Sequence, residues 1–594
     1  MSAFVPSVAR EDPPTTSCSL DDGITLSASM AITEFHGPSG PLPHVPDDVT
    51  LVQFMLDSDH PSRPVKRILQ GNPWMIEDAT GRQIGYGEVR TAVQSPVLRK
   101  GSSGSKVRMR THGLANAISS RWRIAEDDVV VCQEKQTPLH KPHLLWEVGY
   151  VVELTCHQAP YGTFCIFGPN HVDYPIAVWA VHRLGATVTC ANPAYTAGEL
   201  QYQLETTKAK VLIVHGQSYS VAIAAAKAIG LSLDRIVLFD PLENSASSSY
   251  KHLTVHELIK EGLERPQSYV ERKLKRGEGR TKLAFLSFSS GTTGKPKAVC
   301  ISHYAPIANV LQMAHLANQQ PGPWEIVKYR TGGVAIGVLP FYHIYGLVVI
   351  MHFMMFYGHP AVKNYDLSSV HAIMSGAAPL SPELTNQLAK VLPQACHARA
   401  NMRGPEGMTE TCTTISFPQI EQKICTPGSA GRLVPGVVAR VVKPDGSLAG
   451  FNEPGHLIVK GPANALRYLN NEEATKETFV DGWVHTGDEV TINETMEVFV
   501  VDRIKELIKV KGFQASRAAE RMKKDPAEAA KIRTSITKHV ADAKVNYKHL
   551  EGGVEFVEAI PKNPSGKLLR RVLRDRAAEL RKQGKLSKPP RSRM

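Results

Sequence analysis

The residues best suited to chemistry lie in one short segment, residues 287–299, with the sequence SFSSGTTGKPKAV. Its glycines let the backbone bend so that several N–H groups converge on one anion, while its hydroxyls and lysines add donors and positive charge. An apolar run from Leu283 to Phe288 precedes the segment and predicts a buried strand that positions it. We therefore predict a polyphosphate-binding loop whose candidate ligand residues are Ser289, Ser290, Gly291, Thr292, Thr293, Gly294 and Lys297.

Two other interpretations of this loop are less favourable. The P-loop of kinases and GTPases requires a glycine, four residues and then Gly-Lys-Ser/Thr, whereas Lys295 is followed here by Pro296. Proline lacks an N–H group and is excluded from helix interiors, so a helix does not begin here in the usual way. A Ser/Gly-rich linker is disfavoured because linkers rarely follow a buried strand.

Further motifs follow the loop in order along the chain. They are LPFYHIYG (339–346), SGAAPL (375–380), GMTE (407–410), GWVHTGD (482–488), DRIKELIKVKGFQ (502–514) and PKNPSGKLLRR (561–571). Together with the loop, they resemble the adenylate-forming enzymes, which comprise acyl-CoA synthetases, luciferases and the adenylation domains of peptide synthetases. LPFYHIYGL, SGAAPL and NPSGKLLRR are most similar to the 4-coumarate–CoA ligase-like aryl or acyl-CoA ligases. The resemblance extends from about residue 74 to 577, outside several disturbed segments.

The resemblance implies a role for each motif in the use of ATP. Thr409 would contact the α-phosphate, Glu410 would hold magnesium, and Lys567 would be the catalytic lysine. His343 would be a gating residue near the carboxylate substrate. The other implied candidates are Gly376, Ala377 and Ala378 at adenine, Asp488 at the ribose hydroxyls, Arg503 at phosphate or ribose oxygens, and Lys509, Gly512 and Gln514 in the small domain.

These residue types suit the implied chemistry. Adenylation brings a carboxylate against the α-phosphate of ATP, so the site needs cations where negative charge accumulates. Magnesium prefers oxygen ligands such as Glu410, and Lys567 is a flexible point charge able to bridge carboxylate and phosphate oxygens. Each residue alone also has an ordinary interpretation, as a helix-terminal charge (Glu410), a turn residue (Asp488), a solvated lysine (Lys567) or a hydrogen-bonded histidine (His343). The order of the motifs favours the functional interpretation.

The implied reaction is ATP-dependent acid–CoA ligation. A carboxylate attacks ATP to give acyl-adenylate and pyrophosphate, the small C-terminal domain rotates about a hinge near Asp502–Lys505, and CoA displaces AMP. The acid would be aromatic, like 4-coumarate, or a fatty acid, and the cofactors would be ATP, Mg²⁺ and CoA as co-substrate. The alternatives are a catalytically impaired nucleotide-binding homologue and adenylation without CoA transfer.

Strand-like and helix-like segments alternate along residues 175–215, where PIAVWAVHRLG precedes ATVTCAN and KVLIVH. This alternation predicts a parallel sheet flanked by helices, and two short strands joined at Thr80–Gly81 are predicted before it. We predict an α/β protein with a large multi-subdomain N-terminal domain and a small mobile α+β C-terminal domain. The predicted division is a disordered segment at 1–30, the large AMP-binding domain at 31–501 with insertions at 91–108 and 133–164, and the small domain at 502–594.

Four departures from the family pattern motivate the impaired-enzyme alternative. The chain is shortened around 361–364, where relatives carry a strand, a helix and a segment lining the acyl pocket. Residues 396–406 lack the tyrosine that stacks on adenine and do not have the pattern of the expected strand. The early strand and helix of the small domain are skipped around 515–520, and Ala298 replaces a commoner glycine.

Composition excludes few function classes. The 594-residue chain has 42% hydrophobic residues, 21% charged residues and a formal net charge of +13, which is ordinary for a soluble globular protein apart from the basic excess. Because no nucleic-acid-binding motif accompanies that excess, we interpret it as solvated surface with affinity for anionic nucleotides and expect no nucleic-acid partner. Nine cysteines without a CxxC motif favour a reducing compartment.

The targeting signals are few. No signal peptide is evident, and we expect no integral membrane segment because the apolar stretch Gly333–Tyr357 is interrupted by Pro340, His343 and His352. Ser592-Arg593-Met594 resembles the peroxisomal Ser-Lys-Leu address. The sequence thus predicts a peroxisomal protein recognised by an import receptor, with the cytoplasm as the alternative.

Overall fold

The computed structural model describes the ranges 34–38, 40–63, 73–76, 83–85, 107–124, 162–242, 250–289, 295–319, 339–357, 372–374, 396–398, 407–418, 426, 429–503, 530–531, 533–538, 554–555 and 570–583. Within these ranges, the strands in chain order are β1 (Phe35–His36), β2 (Pro73–Ile76), β3 (Gln83–Gly85), β4 (Thr163–Phe167), β5 (Thr187–Ala191), β6 (Ala209–Val214), β7 (Ile236–Leu238), β8 (Leu253–Thr254), β9 (Leu283–Ser289), β10 (Lys297–Ser302), β11 (Ala372–Met374), β12 (Cys396–Ala398), β13 (Gly407–Met408), β14 (Thr413–Thr414), β15 (Ser416–Phe417), β16 (Ser429–Leu433), β17 (Val438–Val442), β18 (Gly455–Lys460), β19 (Arg467–Tyr468), β20 (Phe479–Val480), β21 (Trp483–Ile492) and β22 (Glu497–Arg503).

Within the described ranges, helices alternate with strands along the first half of the chain. They are α1 (Val107–Trp122), α2 (Tyr174–Arg183), α3 (Ala197–Thr207), α4 (Tyr219–Ala228), α5 (Val255–Glu264), α6 (Tyr304–Asn318), α7 (Met354–Tyr357), α8 (Glu472–Thr478) and α9 (Arg570–Lys582). Two segments are π-helical, Gln53–Asp57 and Gly346–Phe353. None of the helices in the described part is long and apolar enough to cross a membrane.

The first sheet has the strand order β19-β10-β9-β5-β4-β6-β7-β8. From β9 to β8 neighbouring strands are parallel, whereas β10 and β19 join one edge in antiparallel orientation. The central strands β4 and β5 are buried at every position, as expected for apolar strands covered by helices on both faces. The predicted parallel sheet and the predicted buried strand leading into the loop are both confirmed.

Helix starts in this region follow local sequence signals. Thr196 precedes α3 and Thr254 precedes α5, and each forms a capping box with a glutamate three residues later. The predicted helix in PIAVWAVHRLG is α2, whose N-terminus carries Asp173. Asp173 forms a buried ion pair with Arg110 of α1, so the two helices are joined by opposite charges as well as by apolar contacts.

The second sheet is antiparallel throughout and has the order β1-β17-β18-β21-β22-β16-β15, with β20 paired to β21. Smaller pairs are β2 with β3, which are the two predicted short strands, β11 with β12, and β13 with β14. The α/β fold class predicted from the sequence is confirmed.

Regular elements begin inside both predicted insertions. Val107 and Arg108, assigned to the first insertion, begin α1, where Val107 is buried and Arg108 forms an ion pair with Asp57 at 2.6 Å. Thr163 and Phe164, assigned to the second insertion, begin β4, because their backbone pairs with β5 on one side and β6 on the other.

The prediction that residues 396–406 lack a strand pattern is wrong at their start, and a strand also crosses the predicted domain boundary. Cys396–Ala398, in the segment judged not to have a strand pattern, pairs in parallel with Ala372–Met374. The strand β22 continues through the predicted domain boundary at 501/502 and ends at Arg503. Residues 1–30 and the departures at 361–364, 399–406 and 515–520 lie outside the described residues.

Candidate functional site

The polyphosphate-type loop connects the ends of two antiparallel strands. Ser289 is the last residue of β9 and pairs with Lys297, the first residue of β10. The segment between them therefore crosses from one strand to its antiparallel neighbour, unlike the strand-to-helix connection of a P-loop. Both paired residues are half-buried at the loop's base.

The C-terminal part of this loop is held by Tyr202 of α3. The Tyr202 hydroxyl donates to the Pro296 carbonyl at 3.1 Å. The ammonium group of Lys295 lies 4.8 Å from the centroid of the same ring, within the range of a cation–π contact. One aromatic side chain thus fixes both the backbone and a cation of the loop.

The GMTE motif forms a tight reversal next to the hairpin base. Gly407 and Met408 form β13, Thr409 begins a single 3-10 turn that ends at Thr411, and β14 follows. This turn packs against β9 and β10. A Cβ on Gly407 would lie 1.3 Å from the Thr413 carbonyl oxygen, so only glycine fits this position.

The reversal after Glu410 contains strained backbone. Cys412 and Thr413 have φ of 49° and 98°, and such a positive φ is unusual for a β-branched residue. The Thr413 hydroxyl donates to Asn309 Oδ1 of α6 at 2.9 Å. Strain of this kind persists only where neighbouring contacts determine the backbone, and it concentrates at functional sites.

Glu410 is buried, with 4% relative exposure, and its carboxylate is bound by Tyr468 of β19. The Tyr468 hydroxyl donates to Glu410 Oε1 at 2.7 Å. Burial and the neighbouring Glu410 carboxylate raise the pKa of Tyr468 well above its ordinary value, so the phenol remains a donor. The Lys297 ammonium lies 5.0 Å from the centroid of the Tyr468 ring. The structure therefore brings Lys297 and Glu410 together around one tyrosine.

This arrangement fits a small divalent cation. Among the described residues, only one oxygen of the Glu410 carboxylate has a hydrogen-bond partner. Those residues contain no group of three His, Cys, Asp or Glu side chains able to hold a metal. A single carboxylate oxygen beside a phosphate-type loop suits Mg²⁺, which is usually held by one or two carboxylates together with phosphates and water.

Asp488 lies in the second sheet, on β21, and Arg503, which is predicted at phosphate or ribose oxygens, lies directly opposite on β22. Asp488 is almost fully buried at 1% relative exposure. Its backbone N–H donates to the Thr486 hydroxyl at 3.1 Å, and the preceding Gly487 has a φ of 75° and donates to His456 Nε2 at 3.0 Å. The register thus places the backbone of Arg503 next to that of Asp488, the predicted ribose-binding residue, although the two are separate in sequence.

His343 follows the segment 339–341, which is hydrogen-bonded to Asn170, three residues after the end of β4. Asn170 donates to the Leu339 carbonyl at 2.9 Å and accepts from the Phe341 N–H at 2.6 Å. His343 Nδ1 accepts from the Tyr345 N–H at 3.3 Å. This local hydrogen bond orients the ring at the start of the π-helical segment.

Most of the remaining predicted site residues lie outside the described ranges. For Arg503 only the backbone position is described. The residues outside the described ranges are Ser290, Gly291, Thr292, Thr293, Gly294, Gly376, Ala377, Ala378, Lys509, Gly512, Gln514 and Lys567.

Sequence reasoning missed Tyr468 and Tyr202. Neither lies in a motif with the composition of a phosphate or metal site, and Tyr468 stands in the unremarkable segment ALRYLNNEEAT. Both act on the loop from elements that are distant in sequence. No element is predicted from the sequence at either tyrosine, so no signal there would have found them.

Comparison with known proteins identifies the family. A family model described as AMP-binding enzyme matches residues 159–362 and 354–469. An acyl-CoA ligase of Alternaria alternata is 30% identical, with the match covering 69% of this chain and 82% of that protein. The 4-coumarate–CoA ligase 3 of Arabidopsis thaliana is 31% identical over 68% of this chain and 80% of that protein.

A solved structure shows the same fold. It is that of an anthranilate CoA ligase in complex with anthranoyl-AMP, with a TM-score of 0.60 at 16% identity, covering 91% of this chain and 99% of that chain. The extent of the family match, the level of identity to curated relatives and the shared fold lead to one conclusion: this chain belongs to the family of AMP-binding enzymes.

Proposed function

We propose that the protein is an ATP-dependent acid–CoA ligase, which forms an acyl-adenylate and pyrophosphate and then a CoA thioester and AMP. The observation that carries the proposal is the placement of Lys297 against the Tyr468 ring and of Glu410 at the Tyr468 hydroxyl, beside the base of the polyphosphate-type loop. A cation and a buried carboxylate at that loop are what a magnesium nucleotide requires. The similarity to acyl-CoA and 4-coumarate–CoA ligases supports the second half-reaction.

In this proposal, the loop residues from Ser289 to Lys297 bind the phosphates, and Thr409 contacts the α-phosphate. Glu410 holds Mg²⁺, which when bound neutralises phosphate oxygens. The turn at 409–411 packs on β9 and β10, the two strands that flank the loop, so Glu410 is held close to the loop's base. Preorganised charge of this kind lowers the barrier because it does not have to reorganise during the reaction.

The remaining roles follow the motifs. Asp488 accepts hydrogen bonds from the ribose hydroxyls with Arg503 beside it, and the turn at Gly376, Ala377 and Ala378 binds adenine. His343 gates the carboxylate, and Lys567 bridges carboxylate and phosphate oxygens during adenylation. The segment containing Lys509, Gly512 and Gln514 enters the site for the thioester step. The acid is aromatic, like 4-coumarate, or fatty.

Carboxylate-dependent ATP–pyrophosphate exchange tests the proposal. We expect exchange with at least one member of a panel of aryl and fatty acids, and AMP release coupled to thioester formation when CoA is added. ATP binding without exchange for any acid would instead support the catalytically impaired homologue. Exchange without thioester formation would support adenylation without transfer of the acyl group to CoA.

Substitution of the catalytic lysine gives a sharper prediction. Lys567→Ala should lower the adenylation rate by about 100-fold or more, since loss of one preorganised donor typically costs that much. It should leave thioester formation from preformed acyl-adenylate largely intact. Lys562→Ala, a lysine of the same segment, is the matched control and should affect neither step. Equal loss in both half-reactions would contradict the assigned role.

We also infer a peroxisomal location from Ser592-Arg593-Met594, which lies outside the described residues. A fluorescent protein fused before the chain should enter peroxisomes, and removal of the last three residues should leave it in the cytoplasm. Unchanged localisation after that removal would contradict the inference.

A further inference from the structure

Tyr468 is fixed relative to the strand that begins with Lys297. In β19 it lies opposite Val299 of β10. The neighbouring residues add two backbone hydrogen bonds to the same strand, from Leu466 N–H to the Cys300 carbonyl at 2.9 Å and from Leu469 N–H to the Ala298 carbonyl at 2.8 Å. The tyrosine therefore moves with the loop-bearing strand.

The ring of Tyr468 is held between a cation and another ring. Lys297 and Val299 are two residues apart on β10 and thus share a face of the sheet, which places Tyr468 diagonally next to Lys297. The lysine ammonium lies 5.0 Å from the ring centroid, and Phe479 makes an edge contact at 5.5 Å. These contacts restrict the direction in which the hydroxyl points.

The hydroxyl and the adjacent backbone hold Glu410 at two points. Tyr468 donates to the carboxylate at 2.7 Å, and the Ala465 N–H donates to the Glu410 carbonyl at 2.8 Å. Both partners of the side-chain bond are buried, where a hydrogen bond to a charged group is stronger than in water. Side chain and main chain of Glu410 are thus bound by one short segment.

We propose that Tyr468 is a positioning residue that orients the Glu410 carboxylate toward the magnesium ion of bound ATP and couples it to the loop lysine Lys297. The inference rests on the proposed function, because it needs ATP and magnesium at this loop. Outer hydrogen bonds to metal-binding carboxylates fix their orientation, and their loss typically lowers metal affinity 10–100-fold. A purely structural tyrosine would change stability without changing the response to magnesium.

The experiment measures ATP binding by calorimetry across a magnesium titration, without any acid or CoA. Tyr468→Phe keeps the ring contacts and removes only the hydroxyl. We expect it to raise the magnesium concentration at half-maximal enhancement of ATP binding about tenfold. Tyr202→Phe is the matched control, because it removes a hydroxyl that supports the same loop but does not contact Glu410. It should shift ATP affinity equally with and without magnesium.

The possible results distinguish a failure of the proposed function from a failure of the role of Tyr468. Wild-type protein that binds ATP with no magnesium enhancement would count against the proposed function itself. Wild-type enhancement with an unchanged midpoint in Tyr468→Phe, or with the same shift in Tyr202→Phe, would overturn the role of Tyr468 alone.

A second measurement covers the case in which Tyr468→Phe does not fold. Site-specific incorporation of 3-fluorotyrosine at position 468 retains the ring and its hydroxyl. Its fluorine NMR resonance should move when magnesium is added to the ATP-bound protein, and should not move with magnesium alone at the same concentration. A fluorine chemical shift that does not change when magnesium is added to the ATP complex would overturn the proposal.

Discussion

Lowering the pH from 8 to 5 should destabilise the chain through two buried histidines behind the loop-bearing strand. His182 donates from Nε2 to the Ala284 carbonyl of β9 at 3.0 Å, and burial lowers its pKa to about 3. His352 accepts from the Trp179 indole N–H at 3.2 Å and donates from Nδ1 to the Leu347 carbonyl at 2.7 Å, and burial lowers its pKa to about 4. Both imidazoles are neutral in the folded protein at pH 5.

The sign follows from proton uptake. In the unfolded chain each histidine has its ordinary pKa of 6.5, so between pH 6.5 and about 4 the unfolded state binds protons that the folded state excludes. Stability is therefore complete above pH 6.5 and is lost as the pH falls. At about 1.4 kcal/mol per pH unit over about 1.5 units, each histidine contributes a loss of about 2 kcal/mol at pH 5. The pair contributes about 4 kcal/mol, a large part of a typical folding free energy of about 5–15 kcal/mol.

Guanidinium unfolding followed by tryptophan fluorescence at pH 8, 6.5 and 5 measures this effect. His352→Gln should remove about 2 kcal/mol of the difference between pH 8 and pH 5, whatever it costs at pH 8. His256→Gln, on the exposed face of α5, is the control and should keep the full difference. A stability that is flat between pH 6.5 and 5, or that falls equally in His352→Gln, would refute the reasoning.

Two substitutions with matched controls probe the site and its support. Gly407→Ala should weaken ATP binding more than tenfold, because its Cβ would lie 1.3 Å from a backbone oxygen of β14. The control is Gly198→Ala in α3, whose Cβ meets nothing within 4 Å and which should leave ATP binding unchanged. Equal ATP affinity of the two variants in a calorimetric titration would contradict this prediction. Arg110→Met should lower the unfolding free energy by about 3–5 kcal/mol because Asp173 loses its buried cation. Arg121→Met breaks a more exposed ion pair and should cost about 1 kcal/mol or less in the same denaturation assay, so similar losses would argue against burial as the cause.

Local sequence signals were sufficient where an element is defined by its own residues. The apolar run before the loop predicted β9, and PIAVWAVHRLG predicted α2, because burial selects apolar residues along the whole element. Local sequence signals failed where a segment becomes a strand only because a partner strand pairs with it. Cys396–Ala398 has little intrinsic strand pattern, yet it pairs with Ala372–Met374, and strand formation here depends on the neighbouring backbone.

The start of β4 shows the same dependence on partner strands. Thr163 and Phe164 lie at the end of a segment without clear periodicity, and nothing in their types distinguishes an insertion from a central strand. Their assignment came from hydrogen bonds to β5 and β6 on both sides. A central parallel strand is specified by partners that are distant in sequence, which a local pattern does not contain.

For the candidate site, the sequence by itself determined which residue types occur and in which order: the hydroxyl- and lysine-rich loop, Thr409 with Glu410, and Asp488. Only the tertiary structure decided how these groups are held. It placed Lys297 and Glu410 around Tyr468, and it set Asp488 opposite Arg503. The physical reason is that a motif records residues that act on a ligand, whereas the contacts that orient them come from strands brought together by folding.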